Sequence, residues 1–179
     1  MTDQENTSDQ FRITRVWAKN FRSIRELDIE LGPLTVLVGP NASGKSNVMD
    51  VLRFIRDCAV SGLDRAISDR SGINEIRRWS AKGTARNIEV GLEASMGRLQ
   101  LGYGLAISGR REGDYKIRSE IFRFEDASTG KIDRLEVRNG KIVKPKLDAA
   151  TDSFDFSQLM LTNLTVRSAV FEYLGGGSF

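Results

Sequence analysis

The chain has 179 residues, 40% hydrophobic and 28% charged, with a net charge of +3, an ordinary globular composition for one domain, or for one domain and part of another. No apolar run approaches the roughly 20 residues of a membrane helix, and the polar, acidic start (Asp3, Glu5, Asp9) has no signal region, so a soluble, cytoplasmic protein with no membrane partner is expected. Histidine is absent and Cys58 is the only cysteine, which excludes internal disulfides, histidine-activated nucleophiles and His-ligated zinc from this stretch.

Residues 1–10 read as a flexible terminus. Residues 11–18, rich in β-branched and aromatic side chains, predict a strand, and residues 19–24 a turn. From Arg25 to Leu31, Leu27, Ile29 and Leu31 alternate with Glu26, Asp28 and Glu30, as in a half-buried strand. Gly32-Pro33 then turns the chain into residues 34–38, Leu-Thr-Val-Leu-Val, an apolar run expected to be a strand buried on both faces of a sheet. Three strands would thus precede the first helix.

That run opens into Gly39-Pro40-Asn41-Ala42-Ser43-Gly44-Lys45-Ser46-Asn47, which fits G-x-x-x-x-G-K-[ST], the phosphate-binding loop, in its strand–loop–helix setting. Gly39 and Gly44 allow a tight path whose N–H groups face an anion at a helix N-terminus. Lys45 would reach the β- and γ-phosphates, and the Ser46 hydroxyl would ligate a bridging Mg²⁺. At ordinary Gly and Lys usage such a match arises by chance in under roughly 1% of chains this long. ATP and Mg²⁺ are therefore the expected cofactors.

Val48, Val51, Leu52, Phe54 and Ile55 then form a stripe at helical spacing that runs to about Ala59, with Cys58 expected to be a buried, unreactive thiol. Residues 63–68 predict a short helix and residues 69–72 a loop. Beyond Arg86 the texture changes. Ile88, Val90, Leu92 and Ala94 alternate, as do Leu99, Leu101, Tyr103, Leu105 and Ile107, with a turn at Met96-Gly97. Tyr115, Ile117, Ile121, Phe122 and Phe124 continue with a bulge where the parity switches. Ile132, Leu135 and Val137 lead into Asn139-Gly140, a hairpin signal, before Ile142-Val143. An antiparallel meander of four or five strands is predicted. In the tail, residues 152–161 are ambiguous, residues 163–173 predict a helix, and a glycine run, Gly175-Gly176-Gly177, follows.

With Asn20-Phe21-Arg22-Ser23-Ile24 ahead of the loop, the chain resembles the N-terminal part of an ABC-type ATPase of the SMC/RecF group. It is most similar to bacterial AAA-family ATPases related to the overcoming-lysogenization-defect proteins. The resemblance is specific over residues 11–79 and architectural over the meander. The group's usual loop is G-P-N-G-S-G-K-S-N; Ala42 takes the place of a variable glycine.

The resemblance implies an α/β P-loop NTPase of the ABC/SMC-head type. Its N-terminal lobe would comprise strands, loop and helix (11–60), a connecting segment (61–84), the meander (85–146) and a tail (147–179). It further implies two heads sandwiching two ATP molecules, hence a second copy as partner. Arg70 resembles the arginine loop that SMC-like heads place near the phosphates, and Arg22 a basic residue beside the nucleotide; a purely structural arginine is an equal expectation for each. Gln158, ahead of Gln100, is the candidate for the glutamine that senses γ-phosphate and metal. The family's Walker B strand ending in Asp-Glu has no counterpart here, and residues 174–178 resemble a signature motif without its following helix. The expectation is an incomplete domain, the first lobe of a larger ATPase or a truncated product of one, inactive alone.

The rivals are weaker. Asp69 to Gly72 matches the GTPase pattern D-x-x-G, yet it follows a helical segment and no N-K-x-D guanine reader exists. Small-molecule kinases share the loop, but an antiparallel meander does not fit their parallel sheet. The alternative from another class is a nucleic-acid or scaffold module, suggested by two basic clusters, Arg77, Arg78, Lys82 and Arg86 around Trp79, and Lys131, Arg134, Arg138, Lys141, Lys144 and Lys146. Strand-borne charge is commonly just a solvated face.

Overall fold

The computed structural model describes residues 11–41, 43–79, 86–109, 115–139 and 141–144. The expectations for residues 1–10 and for the tail 147–179, with Gln158 and the glycine run, lie outside them, as do Ala42, Lys82 and Lys146.

Seven strands form one wholly antiparallel sheet in the order β2-β1-β3-β4-β5-β6-β7. They are β1 (Arg12–Phe21), β2 (Ile24–Glu30), β3 (Ile88–Met96), β4 (Leu99–Gly109), β5 (Tyr115–Asp126), β6 (Lys131–Arg138) and β7 (Lys141–Lys144). The meander expected to have four or five strands is present with five, β3 to β7, and β1 joins it to the N-terminal hairpin by pairing with both β2 and β3.

Alternation sets the two faces, because directly paired residues point the same way. Val16 and Ala18 pair with Ile29 and Leu27 on one side and with Leu92 and Val90 on the other. Tyr103, Phe122 and Leu135 continue that inner face across the sheet. The outer face carries Arg15, Asp28 and Glu93, with Arg15 bridging both carboxylates at 2.7 and 3.2 Å.

Near its centre Gly91 lies under the Trp17 ring. A Cβ there would stand 2.0 Å from Trp17 Cζ2 and 2.6 Å from the Tyr103 carbonyl oxygen, so only glycine fits.

The bulge falls earlier than the apolar parity suggested. The register shifts between Ala106 and Ile107 of β4, which face Ser119 and Ile117, so Arg118 is the extra residue. Ile121 consequently belongs to the outer face, opposite Gly104 and Glu136.

Three helices cover part of the inner face: α1 (Lys45–Ser61), α2 (Leu63–Ser68) and α3 (Ile73–Ile76). In α1 the buried positions Val48, Val51, Phe54, Ile55 and Cys58 repeat every three to four residues, the spacing of a single stripe. Phe54 meets Phe21 of β1 with ring centroids 5.6 Å apart. Burial pushes the Cys58 thiol up to about 12, which keeps it protonated and inert, as its setting suggested. The short α3 buries Ile73 and Ile76 against the same core.

One expectation is overturned. Residues 34–38 are not a strand, and they are not buried: Leu34, Val36 and Val38 are 84%, 70% and 89% exposed. Among the described residues two strands, not three, precede α1. The reason is backbone pairing. The Leu31 N–H still bonds Thr14 at 2.7 Å, after which the chain leaves the sheet, and no described strand lies beside residues 34–38 to take their N–H and C=O groups. A strand exists only as part of a ladder. Leu37 alone in this run packs partly against the core.

Candidate functional site

The phosphate loop sits where the exposed run meets α1. Gly44 adopts φ +95°, open to glycine at little cost, and is the N-cap of α1. No side chain caps this end, and the first turn has no acidic residue. The helix therefore presents uncapped N–H groups and the positive end of its dipole at the loop. At Gly39 a Cβ would come 3.0 Å from the Ser43 hydroxyl, so the loop closes on itself with little room to spare.

Lys45 is folded into this loop. Its ammonium donates to the carbonyl oxygens of Gly39 and Pro40 at 2.6 and 2.7 Å and to Ser43 Oγ at 3.4 Å. All three acceptors are neutral oxygens, so an anion offering the same geometry would be preferred by charge. Ser46 is exposed in the first turn of α1. Beside them opens a recess of about 550 Å³ whose walls come from residues 36–40, from Ser43 to Lys45, and from Ser23, Ile24 and Leu27 of the β1–β2 hairpin. That volume suits a nucleotide-sized ligand.

The hairpin wall is fastened to α1. Asn47 donates through Nδ2 to Ser23 Oγ at 2.6 Å, and Ser23 Oγ lies 3.6 Å from the position a Gly44 Cβ would take. Thus Asn47, matched from the loop pattern, serves the back of the loop. Pro40 accepts from the Ser43 N–H at 3.3 Å, and Asn41 is exposed at the rim.

Arg22 and Arg70 come together, but on a carboxylate. Arg22 Nε donates to Asp50 Oδ2 at 2.5 Å, and Arg70 Nη2 donates to Asp50 Oδ1 at 3.2 Å and Asp57 Oδ2 at 2.8 Å. The Arg70 side chain is 8% exposed, stacks 5.2 Å from the Phe54 ring centroid, and bonds the Ala66 carbonyl. Burial opposes its charge, but the bonds to Asp57 and Asp50 more than offset this, and its pKa lies above the ordinary value. Asp57 is the mirror case: burial raises it, and bonds from Arg56 and Arg70 bring it below the usual carboxylate range. In this structure Arg70 pins α2 and the following turn onto α1.

Sequence reasoning missed Asp50, and it named Ser23 only within the stretch that precedes the loop and Arg77 only within a basic cluster. Asp50 had a signal, since it stands one turn after Ser46 and is the first acid of α1. Arg77, which bridges to Phe21 next to the hairpin, has buried Nε and Nη2 atoms with no hydrogen-bond partner, and burial lowers its pKa. A buried guanidinium whose donors are not all satisfied is costly. Only tertiary packing reveals that.

Other candidates lie apart. Gln100 is exposed on β4 opposite Ser95 and takes no part in the site. In the second basic cluster Arg134 and Arg138 both pair with the buried Glu136, which cancels part of its charge. Among the described residues no group of three or more Asp, Glu, Cys or His could hold a metal by itself, and no helix is long and apolar enough to cross a membrane.

Residues 34–152 match the family described as "AAA domain, putative AbiEii toxin, Type IV TA system". The chain is 34% identical over 116 residues to the DNA replication and repair protein RecF of Brucella abortus, covering 64% of this chain and 28% of that protein. It is 40% identical over 43 residues to the OLD nuclease of Thermus scotoductus, covering 24% of this chain and 8% of the relative. For RecF of Roseiflexus castenholzii the figures are 36% over 72 residues, 40% and 16%. The chain thus spans less than a third of the length of each of these relatives.

Proposed function

Because the chain belongs to this AAA-domain family, we propose that it is the nucleotide-binding lobe of a P-loop ATPase of the SMC/RecF/OLD kind, which takes Mg-ATP at Gly39 to Asn47. The observation that carries this reading is the Lys45 ammonium, held among oxygens alone at an uncapped helix N-terminus. The residues fit the ligand: a triphosphate would exchange the Gly39 and Pro40 carbonyls for charged oxygens on Lys45, while the first-turn N–H groups of α1 take another phosphate oxygen. Ser46 would supply a hydroxyl to Mg²⁺, whose contribution is to neutralise charge on the β- and γ-phosphates.

Hydrolysis needs a carboxylate to orient water; by the family resemblance that group is the Asp-Glu ending a Walker B strand, for which this sequence has no counterpart. A second head facing the loop, as the family resemblance implies, would complete the site. The RecF relatives are DNA replication and repair proteins by name, and a DNA-linked task for the whole machine follows by analogy only. A nucleic-acid module with structural nucleotide is the second reading; it draws on the basic clusters and loses weight from the Glu136 ion pairs.

The test is titration of the full chain with a fluorescent ATP analogue and Mg²⁺. Saturable binding that falls at least about tenfold in Lys45→Ala, without measurable turnover, is expected. Binding indifferent to Lys45, or robust hydrolysis by this chain alone, would overturn it. For the second reading, DNA affinity that does not weaken with added salt would remove a phosphate-contact role.

A further inference from the structure

The carboxylate of Asp50 joins two segments that flank the loop. One oxygen holds Arg22 and the other holds Arg70. The two arms are unequal. Without Asp50, Arg70 would keep Asp57, the Ala66 carbonyl and the Phe54 face. Among the described residues Asp50 is the one side-chain partner of Arg22, whose backbone is in the left-handed region at φ +48°, as is that of Asn20 at +53°. A non-glycine residue stays there only when its surroundings hold it.

What Arg22 fixes is the two-residue turn between β1 and β2. Its N–H bonds the Ile76 carbonyl at 2.7 Å, and the next residue, Ser23, stands behind Gly44 and receives Asn47. The order Asp50–Arg22–Ser23–Asn47 thus leaves α1 and returns to it within one turn, closing a ring around the back of the phosphate loop.

We infer that Asp50 is a positioning residue of the phosphate site: by holding Arg22 it keeps Ser23 against Gly44 and Asn47, and so sets nucleotide affinity without touching nucleotide. This rests on the nucleotide-binding reading above. Released from Asp50, the turn would relax, the wall at Ser23 would retreat, and the loop would pay for its own ordering when phosphate arrives.

The test is a double-mutant cycle on Mg-ATP affinity in the full chain, with Asp57→Asn as comparison. Asp50→Asn and Arg22→Ala are each expected to weaken binding by about tenfold, the double variant no further than either alone, and Asp50→Glu to recover part of the loss. Asp57→Asn, which cuts an ion pair of the same Arg70, should lower the melting temperature about as much as Asp50→Asn and leave affinity unchanged. If Lys45→Ala abolishes binding while Asp50→Asn binds like the wild type, or if the two single losses add in full, the inference fails and the nucleotide reading stands. If the wild-type chain binds no nucleotide, both fail.

Discussion

Strands β3 to β7 pair within one sheet, whereas residues 32–41, which lead into the phosphate loop, have no described strand beside them. The two stretches are similarly apolar. Ile88 and Ile107 are fully buried, yet Leu34, Val36 and Val38 stand in solvent. Hydrophobicity alone therefore does not make a strand; a neighbour with free N–H and C=O groups does. The loop region is held instead from its helical end, through Asn47, Lys45 and Asp50.

This contrast can be broken most forcefully in the sheet. Gly91→Val drives a branched side chain into Trp17 and the Tyr103 carbonyl, and should cost about 3 kcal/mol, read as a lower urea midpoint of the full chain at unchanged slope. A smaller effect is expected where the helices meet. Asp57→Asn removes one of the two carboxylates on Arg70; the site is partly solvated, so about 1 kcal/mol is expected at neutral pH. Because the folded pKa of Asp57 is depressed, its contribution is present above the ordinary carboxylate value and is lost as pH falls through the folded one. Melting temperatures of wild type and variant should therefore converge in acid, and a constant gap would refute the ion-pair account. The smallest effect belongs to the exposed run: Val36→Ser should change stability by less than about 0.5 kcal/mol. A large loss in the same urea experiment would mean that residues 34–38 are buried in solution and that the contrast is false.

Most of the meander was legible because alternation of period two is a local code, and Asn139-Gly140 marks its hairpin. The helix after the loop was equally plain from its stripe. The bulge was misplaced by a few residues because Ile121 is apolar yet lies on the outer face. Parity in a sequence counts residues, while the register counts paired ones. Glu120 and Glu136 could not have been read at all: both are buried, one bonded by the Tyr103 hydroxyl at 2.9 Å, the other between two arginines. The Glu120 partner sits on the neighbouring strand, 17 residues away; those of Glu136 are two residues along its own strand, where alternating Arg and Glu read as a solvated face.

For the site, the sequence by itself carried the pattern: Gly39, Gly44, Lys45 and Ser46 at fixed spacing before an amphipathic helix are the grounds for the proposed anion cradle, because backbone N–H direction and helix dipole follow from local conformation. Tertiary structure alone decided what surrounds that cradle. It left residues 34–38 unpaired, turned Arg70 inward onto Asp50 and Asp57, and placed Ser23 at the back of the loop. Such contacts join residues 13 to 24 positions apart, and their energies depend on burial and charge partners that exist only once the chain has folded.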